Sequence, residues 1–144
     1  MTSHGSGPLW SREYPFEADA ISRHAPALPG VYELLQSVEY GRYQGKTRIL
    51  KIGCSRSSLR DELSNHLVRH TAANRLARIR NREGTSVSFK CAIFKPSEAR
   101  VAEKALLRAF EDECWDLPVL NSTRGYDRRA DRHYRQVSPR QGES

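Results

Sequence analysis

Cysteine is scarce in this chain, and what there is of it is scattered. Cys54, Cys91 and Cys114 are the only three in 144 residues, and no two of them form a Cys-x-x-Cys pair. An odd number at wide spacing argues against a disulfide framework, and the missing pair argues against a structural zinc site. A reducing compartment, the cytoplasm, is therefore the expected location. Long apolar runs are also lacking. None approaches the roughly 20 residues that span a bilayer, and the Ser/Gly-rich opening from Met1 to Trp10 has no apolar stretch of the kind a secretion signal carries. A membrane is thus not an expected partner. No internal repeat is visible, and 144 residues leave room for one domain with a core of useful size.

Positive charge is what the chain has in excess. Lys and Arg number 24 against 17 acidic residues, a formal net charge of +7, with a sequence pI near 9.7. A small basic protein commonly meets a polyanion. The excess is uneven. Between Arg56 and Arg82 lie seven arginines and two acids, Asp61 and Glu62; residues 122–144 hold six arginines and three acids.

Punctuation by Gly and Pro divides the chain. Residues 1–27 read as an N-terminal extension with a short helix over Phe16–His24, broken by Pro26 and Pro29. Gly30–Ser37 and Thr47–Cys54 are short, rich in Val, Ile, Leu and Tyr, and joined through Gly41 and Gly45, so they predict an antiparallel hairpin. Ser57 or Ser58 then caps a helix with Leu59, Leu63 and Leu67 on one stripe and His66 and His70 beside it. A second helix over Ala72–Asn81 places Arg75, Arg78 and Arg82 on its outer face, and Gly84 ends it. Ser86–Phe94 begins with strict alternation and ends uniformly apolar, as a central strand does. Pro96 opens the longest helix, to about Cys114, with Val101, Ala102, Ala105, Leu106, Ala109 and Phe110 as its expected apolar face. Residues 122–144 read as a basic, mobile tail. The order predicts a small α+β layer of about three strands with helices packed on it.

The ordered set Leu28-Pro29-Gly30-Val31-Tyr32, then a strand ending Lys51-Ile52-Gly53, then a Leu-rich helix with His66, then Glu103 in the long helix, then Pro118-Val119-Leu120-Asn121, resembles the GIY-YIG nuclease family over residues 28–121. The resemblance implies a small three-stranded antiparallel sheet flanked by helices, and hydrolysis of nucleic-acid phosphodiesters with one divalent metal, Mg²⁺ or Mn²⁺. Two positions depart from the family pattern. Lys51 stands where the second motif has its tyrosine, and Glu62 stands four residues before His66, where an arginine is usual.

The residue types suit that chemistry. Attack on a phosphodiester builds negative charge on the phosphoryl oxygens, which a metal stabilises. The resemblance implies Glu103 as the metal ligand, a hard oxygen suited to Mg²⁺. Tyr32 is the implied base or water-positioning group. Lys51, with Arg56 or Arg60, would neutralise the phosphate, and His66 and Asn121 would complete the site. Arg60 lies roughly 200° around the helix from Glu62. A Glu62 facing the site would be unfavourable beside phosphate unless it bound metal. Arg69, His70, Arg75, Arg78, Arg82 and Lys90 are the expected contacts to nucleic acid, DNA ahead of RNA. A protein partner or a second copy could supply targeting. The alternative is a catalytically degenerate module of the same fold that binds nucleic acid or another subunit without cutting. Cys54 is expected to be a small buried residue.

Overall fold

The computed structural model describes residues 9–68 and 72–121, the latter without the side chains of residues 72–74. Arg69, His70 and the expected basic tail lie outside the described residues. The elements run β1 (Tyr14–Pro15), α1 (Ala18–His24), β2 (Gly30–Gly41), β3 (Lys46–Ser55), α2 (Leu59–Val68), α3 (Ala72–Arg80), β4 (Val87–Ile93) and α4 (Pro96–Cys114). The sheet is antiparallel throughout, in the order β1-β4-β2-β3. It has four strands where three were expected. The extra one is two residues long, contains Pro15, and pairs with β4 at the sheet edge, the place where a strand tolerates proline.

The hairpin forms where the glycines predict it. Gly45 takes a positive φ of 76°, and the Arg42 amide donates to its carbonyl at 2.9 Å. Along the hairpin Leu34 pairs with Lys51 but Leu35 pairs with Ile49. Leu50 is therefore the extra residue of a β-bulge. The bulge lets Ile49 and Ile52 point to the same side although three residues apart, and both pack against Leu106, Leu107, Phe110, Cys114 and Leu117.

The sheet separates two apolar layers. On one face Tyr32, Leu34, Phe89 and Cys91 meet Ala20 and Ile21 of α1, Leu59 and Leu63 of α2, and Leu76 of α3. On the other lies α4. Its buried residues are Ala99, Leu107, Phe110 and Cys114, whereas Val101, Ala105 and Ala109 of the expected apolar face are exposed. Phe110 is buried and Leu106 packs beside it as expected, but the helix is rotated so that the stripe facing the sheet runs 99, 103, 107, 110, 114. Glu103 lies on it. Among the described residues no helix is long and apolar enough to cross a membrane.

Candidate functional site

Polar side chains on inward-facing positions are the exception in a small domain, because each gives up water for whatever partner it finds. Glu33 and Gln36 of β2 are two such residues, each with its own partner elsewhere; a larger polar group gathers around one stretch of β3. Tyr32 sits opposite Gly53 and is fully buried. A Cβ at Gly53 would collide with the Tyr32 hydroxyl and ring, so glycine here is what lets the phenol lie across β3, the strand at that end of the sheet.

α2 supplies the partners. Glu62 and His66 fall one helical turn apart, beside the inward residues Leu59 and Leu63. The Tyr32 Oη lies 2.7 Å from His66 Nε2 and donates to Glu62 Oε2 at 3.1 Å, while His66 Nε2 is 3.2 Å from the same carboxylate oxygen. The three groups form a closed triangle. When His66 carries its proton on Nε2, the imidazole donates to the phenol and the phenol donates on to Glu62. Burial first, then the nearby Glu62 carboxylate, pushes the Tyr32 pKa well above the ordinary phenol value, with Glu103 adding to the same effect. The resting phenol is neutral.

Lys51 faces the same side as Tyr32 and Gly53, two residues along β3. It is half-buried, and desolvation lowers its pKa, opposed by Glu103 and Glu62 and assisted by Arg75. Glu103 arrives from the opposite layer. Its Oε1 accepts a hydrogen bond from Cys54 Sγ at 3.3 Å, and its charge is felt by Tyr32, Lys51 and Cys54 alike. Desolvation and the adjacent Glu103 push the Cys54 thiol up to about 12. Cys54 is half-exposed rather than buried.

Asn121 braces the strand. Its Oδ1 accepts from the Ile52 amide and its Nδ2 donates to the Ile52 carbonyl, each at 2.9 Å. Leu120 donates to the Leu50 carbonyl beside it. The asparagine thereby fixes the residue between Lys51 and Gly53, a positioning role.

The remaining expected residues divide. Arg60 is turned away, with its Nε donating to the Ala25 carbonyl at the end of α1. Arg56 is exposed in the turn before α2. Arg75 and Arg78 are exposed on α3, and Arg82 is exposed just past its end; of these, Arg75 acts electrostatically on Lys51. Lys90 belongs elsewhere. It pairs with Glu33 at 3.5 Å and lies over the Trp10 ring at 4.8 Å, on the α4 face of the sheet, across from α3. Glu62, weighed in the sequence as an unfavourable neighbour of phosphate if it faced the site, does face it; Cys54, expected only as a small buried residue, joins the cluster with nothing in the sequence to mark it.

Among the described residues no group of three or more His, Cys, Asp and Glu is arranged to hold a metal ion. That arrangement does not suit a protein-caged transition metal. A single inward carboxylate, Glu103, suits Mg²⁺, which keeps several waters and takes substrate phosphate oxygens as ligands. A groove of about 470 Å³ between residues 13–17 and the turn after α3 contains none of the cluster residues. No protein-family model, no curated protein and no solved structure matches this chain.

Proposed function

We propose that the chain is a metal-dependent endonuclease acting on nucleic acid, DNA ahead of RNA. The observation that carries the reading is the convergence on β3 of Tyr32, Lys51, Glu62, His66 and Glu103 from β2, β3, α2 and α4, each on an inward-facing position. The resemblance to GIY-YIG nucleases adds support, because Tyr32, His66, Glu103 and Asn121 match its motifs in order. So does the formal charge of +7.

In this reading Glu103 would hold Mg²⁺ or Mn²⁺, which supplies charge stabilisation at the phosphoryl oxygens. Lys51 brings an ammonium to the same phosphate, and Arg75 extends the positive field outward. Tyr32 can accept a proton from an attacking water only after passing its own to Glu62 or His66. The triangle provides that path, so the three residues act as one proton-handling unit. Arg75, Arg78 and Arg82 would follow the phosphate backbone as exposed cations.

A second reading is favoured by one observation, the complete burial of the Tyr32 phenol. A module of the same fold that binds without cutting needs no accessible base. One experiment separates the two. The protein is incubated with supercoiled plasmid and with single-stranded DNA in Mg²⁺, Mn²⁺ or EDTA, beside Glu103→Ala. Nicking that requires metal and falls at least about 100-fold in the variant supports the nuclease. Binding by both proteins without cleavage by either supports the binding module.

A further inference from the structure

Two large aromatic rings stand in solvent where the hairpin turn meets the end of α4. Tyr43 is 79% exposed and Trp115 is 60% exposed. Their centroids lie 5.7 Å apart with the planes tilted by 42°. The Gln44 amide donates to the Cys114 carbonyl at 2.9 Å, which holds the turn against the helix end. The pair is therefore an open aromatic surface on a defined scaffold, not two stray side chains.

Its surroundings run against local rules. A helix C-terminus favours cations, yet the last turn of α4 holds no basic residue. It carries Asp112 and Glu113, both exposed, with Asp116 just beyond. The residue that leaves a helix in the left-handed region is usually glycine. Here it is Trp115, at φ 61° and ψ 24°, the one non-glycine residue with positive φ among the described residues. Several local conflicts at one place are the mark of a surface kept for function.

The charge selects the occupant. Unpaired bases stack on exposed rings, but their phosphates would meet Asp112 and Glu113. Of the two cations in the turn, Arg42 is paired with Asp116 and Lys46 is exposed. Arg42 also shows which group suits this end of the molecule. Its guanidinium lies 5.7 Å from the Tyr40 ring centroid while pairing with Asp116, so a planar cation is held by a ring and a carboxylate together. Tyr43 and Trp115, with Asp112 and Glu113, present the same two kinds of group to the outside.

We propose that Tyr43 and Trp115 are the docking point for an arginine-rich segment of a partner protein. The proposal goes beyond the nuclease reading and does not depend on it. From Lys46 to Lys51 the chain advances about 15 Å along β3, so a partner seated at the turn leaves the Tyr32 cluster uncovered. The net charge of +7 repels a cationic peptide in general. Charges beyond a Debye length of about 8 Å are screened at physiological salt, so the local carboxylates decide.

The test uses the full chain and blocked nona-arginine and nona-lysine peptides at physiological salt. Trp10→Phe leaves Trp115 as the single tryptophan, and its emission reports the rings. Nona-arginine should shift that emission saturably and bind more tightly than nona-lysine. Binding should weaken at least about 10-fold in Tyr43→Ala and in the double variant Asp112→Asn/Glu113→Gln. Trp115→Gly takes the left-handed backbone without side-chain strain; followed by calorimetric titration, it should lose the binding and keep the parent circular dichroism. No binding, or binding unchanged in Tyr43→Ala and Trp115→Gly, overturns the proposal. A single-stranded oligonucleotide that shifts Trp115 where nona-arginine does not assigns the rings to base stacking and also overturns it. So does an emission that moves with salt in the protein alone, which assigns the rings to residues 122–144 of the same chain, or one that tracks protein concentration, which assigns them to a second copy.

Discussion

Tyr32 and Gly53 face each other across β2 and β3, and the phenol occupies the space a side chain at Gly53 would need. The glycine of the second motif is therefore a steric requirement of the first motif's tyrosine. Gly53→Ala is expected to cost about 1–3 kcal/mol, as overpacking of a filled interior does, and to displace the ring from His66 and Glu62. Tyr32→Phe keeps the ring and loses only the hydroxyl, at about 1 kcal/mol. Denaturant unfolding of the two variants should rank them in that order; equal stability of Gly53→Ala and the parent would mean the ring does not lie there.

Cys54 and Glu103 are joined by a single long hydrogen bond, and the thiol is pushed up to about 12 from an ordinary 9.0. At pH 8 that makes its thiolate roughly 1000-fold scarcer than in an ordinary cysteine. Alkylation by iodoacetamide should be correspondingly slow despite partial exposure. Glu103→Gln should speed it, because the carboxylate's charge is removed while shape is kept. Peptide-resolved mass spectrometry over a pH series distinguishes Cys54 from Cys91, which is buried and also pushed up to about 12. Rapid modification of Cys54 in the parent at pH 8 would contradict this geometry.

The Glu13 carboxylate is bound by both ends of the Arg48 guanidinium, at 2.8 and 3.0 Å. That hydrogen bonding first, with help from Ser88 and the charges of Arg48 and Lys90, lowers its pKa from 4.5 to about 2. The folded value lies below the unfolded one, so the pair's contribution is present above about 4.5 and is lost as pH falls toward 2. Both side chains are about a third exposed, so the contribution is small and weakened by salt. Glu33 acts in the opposite sense, since burial raises its pKa despite Lys90. A comparison with Glu13→Gln isolates the first effect. The two proteins should converge in urea midpoint as pH drops from 6 to 3, and a constant gap would refute the assignment.

How much of this was legible in the sequence follows from the range of the signal. The hairpin, α2 and α4 rest on local punctuation by Gly45, Ser58 and Pro96, and they fall close to where that punctuation places them. β1 is too short to alternate and exists only because β4 offers it an edge. The bulge at Leu50 was hidden because Ile49 and Leu50 are both apolar and the next residue, Lys51, is a polar residue on an inward-facing position, so alternation gives no mark of the change of face. The orientation of α4 was misread for a related reason. Val101, Ala105 and Ala109 extend the apolar stripe to the outer side of the helix, whereas Phe110 and Leu106 of the expected face do pack toward Ile49 and Ile52, joined there by Leu107. Glu103 could be proposed from a motif, but its inward position could not. Arg60 was named beside Arg56 as a candidate to neutralise the phosphate although helix geometry turned it from Glu62, and it goes to the Ala25 carbonyl instead.

The two hydrogen bonds from Asn121 to Ile52 have a consequence beyond the site. β3 ends the sheet, and an open strand edge is a template on which a second chain can add. A peptide-like amide carried on a side chain occupies the pairing positions of Ile52, and the Leu120 amide occupies that of Leu50. The β3 edge is thus capped at Leu50 and Ile52 by a backbone amide and a side-chain amide rather than left open to a second chain, which is protection against edge-to-edge aggregation.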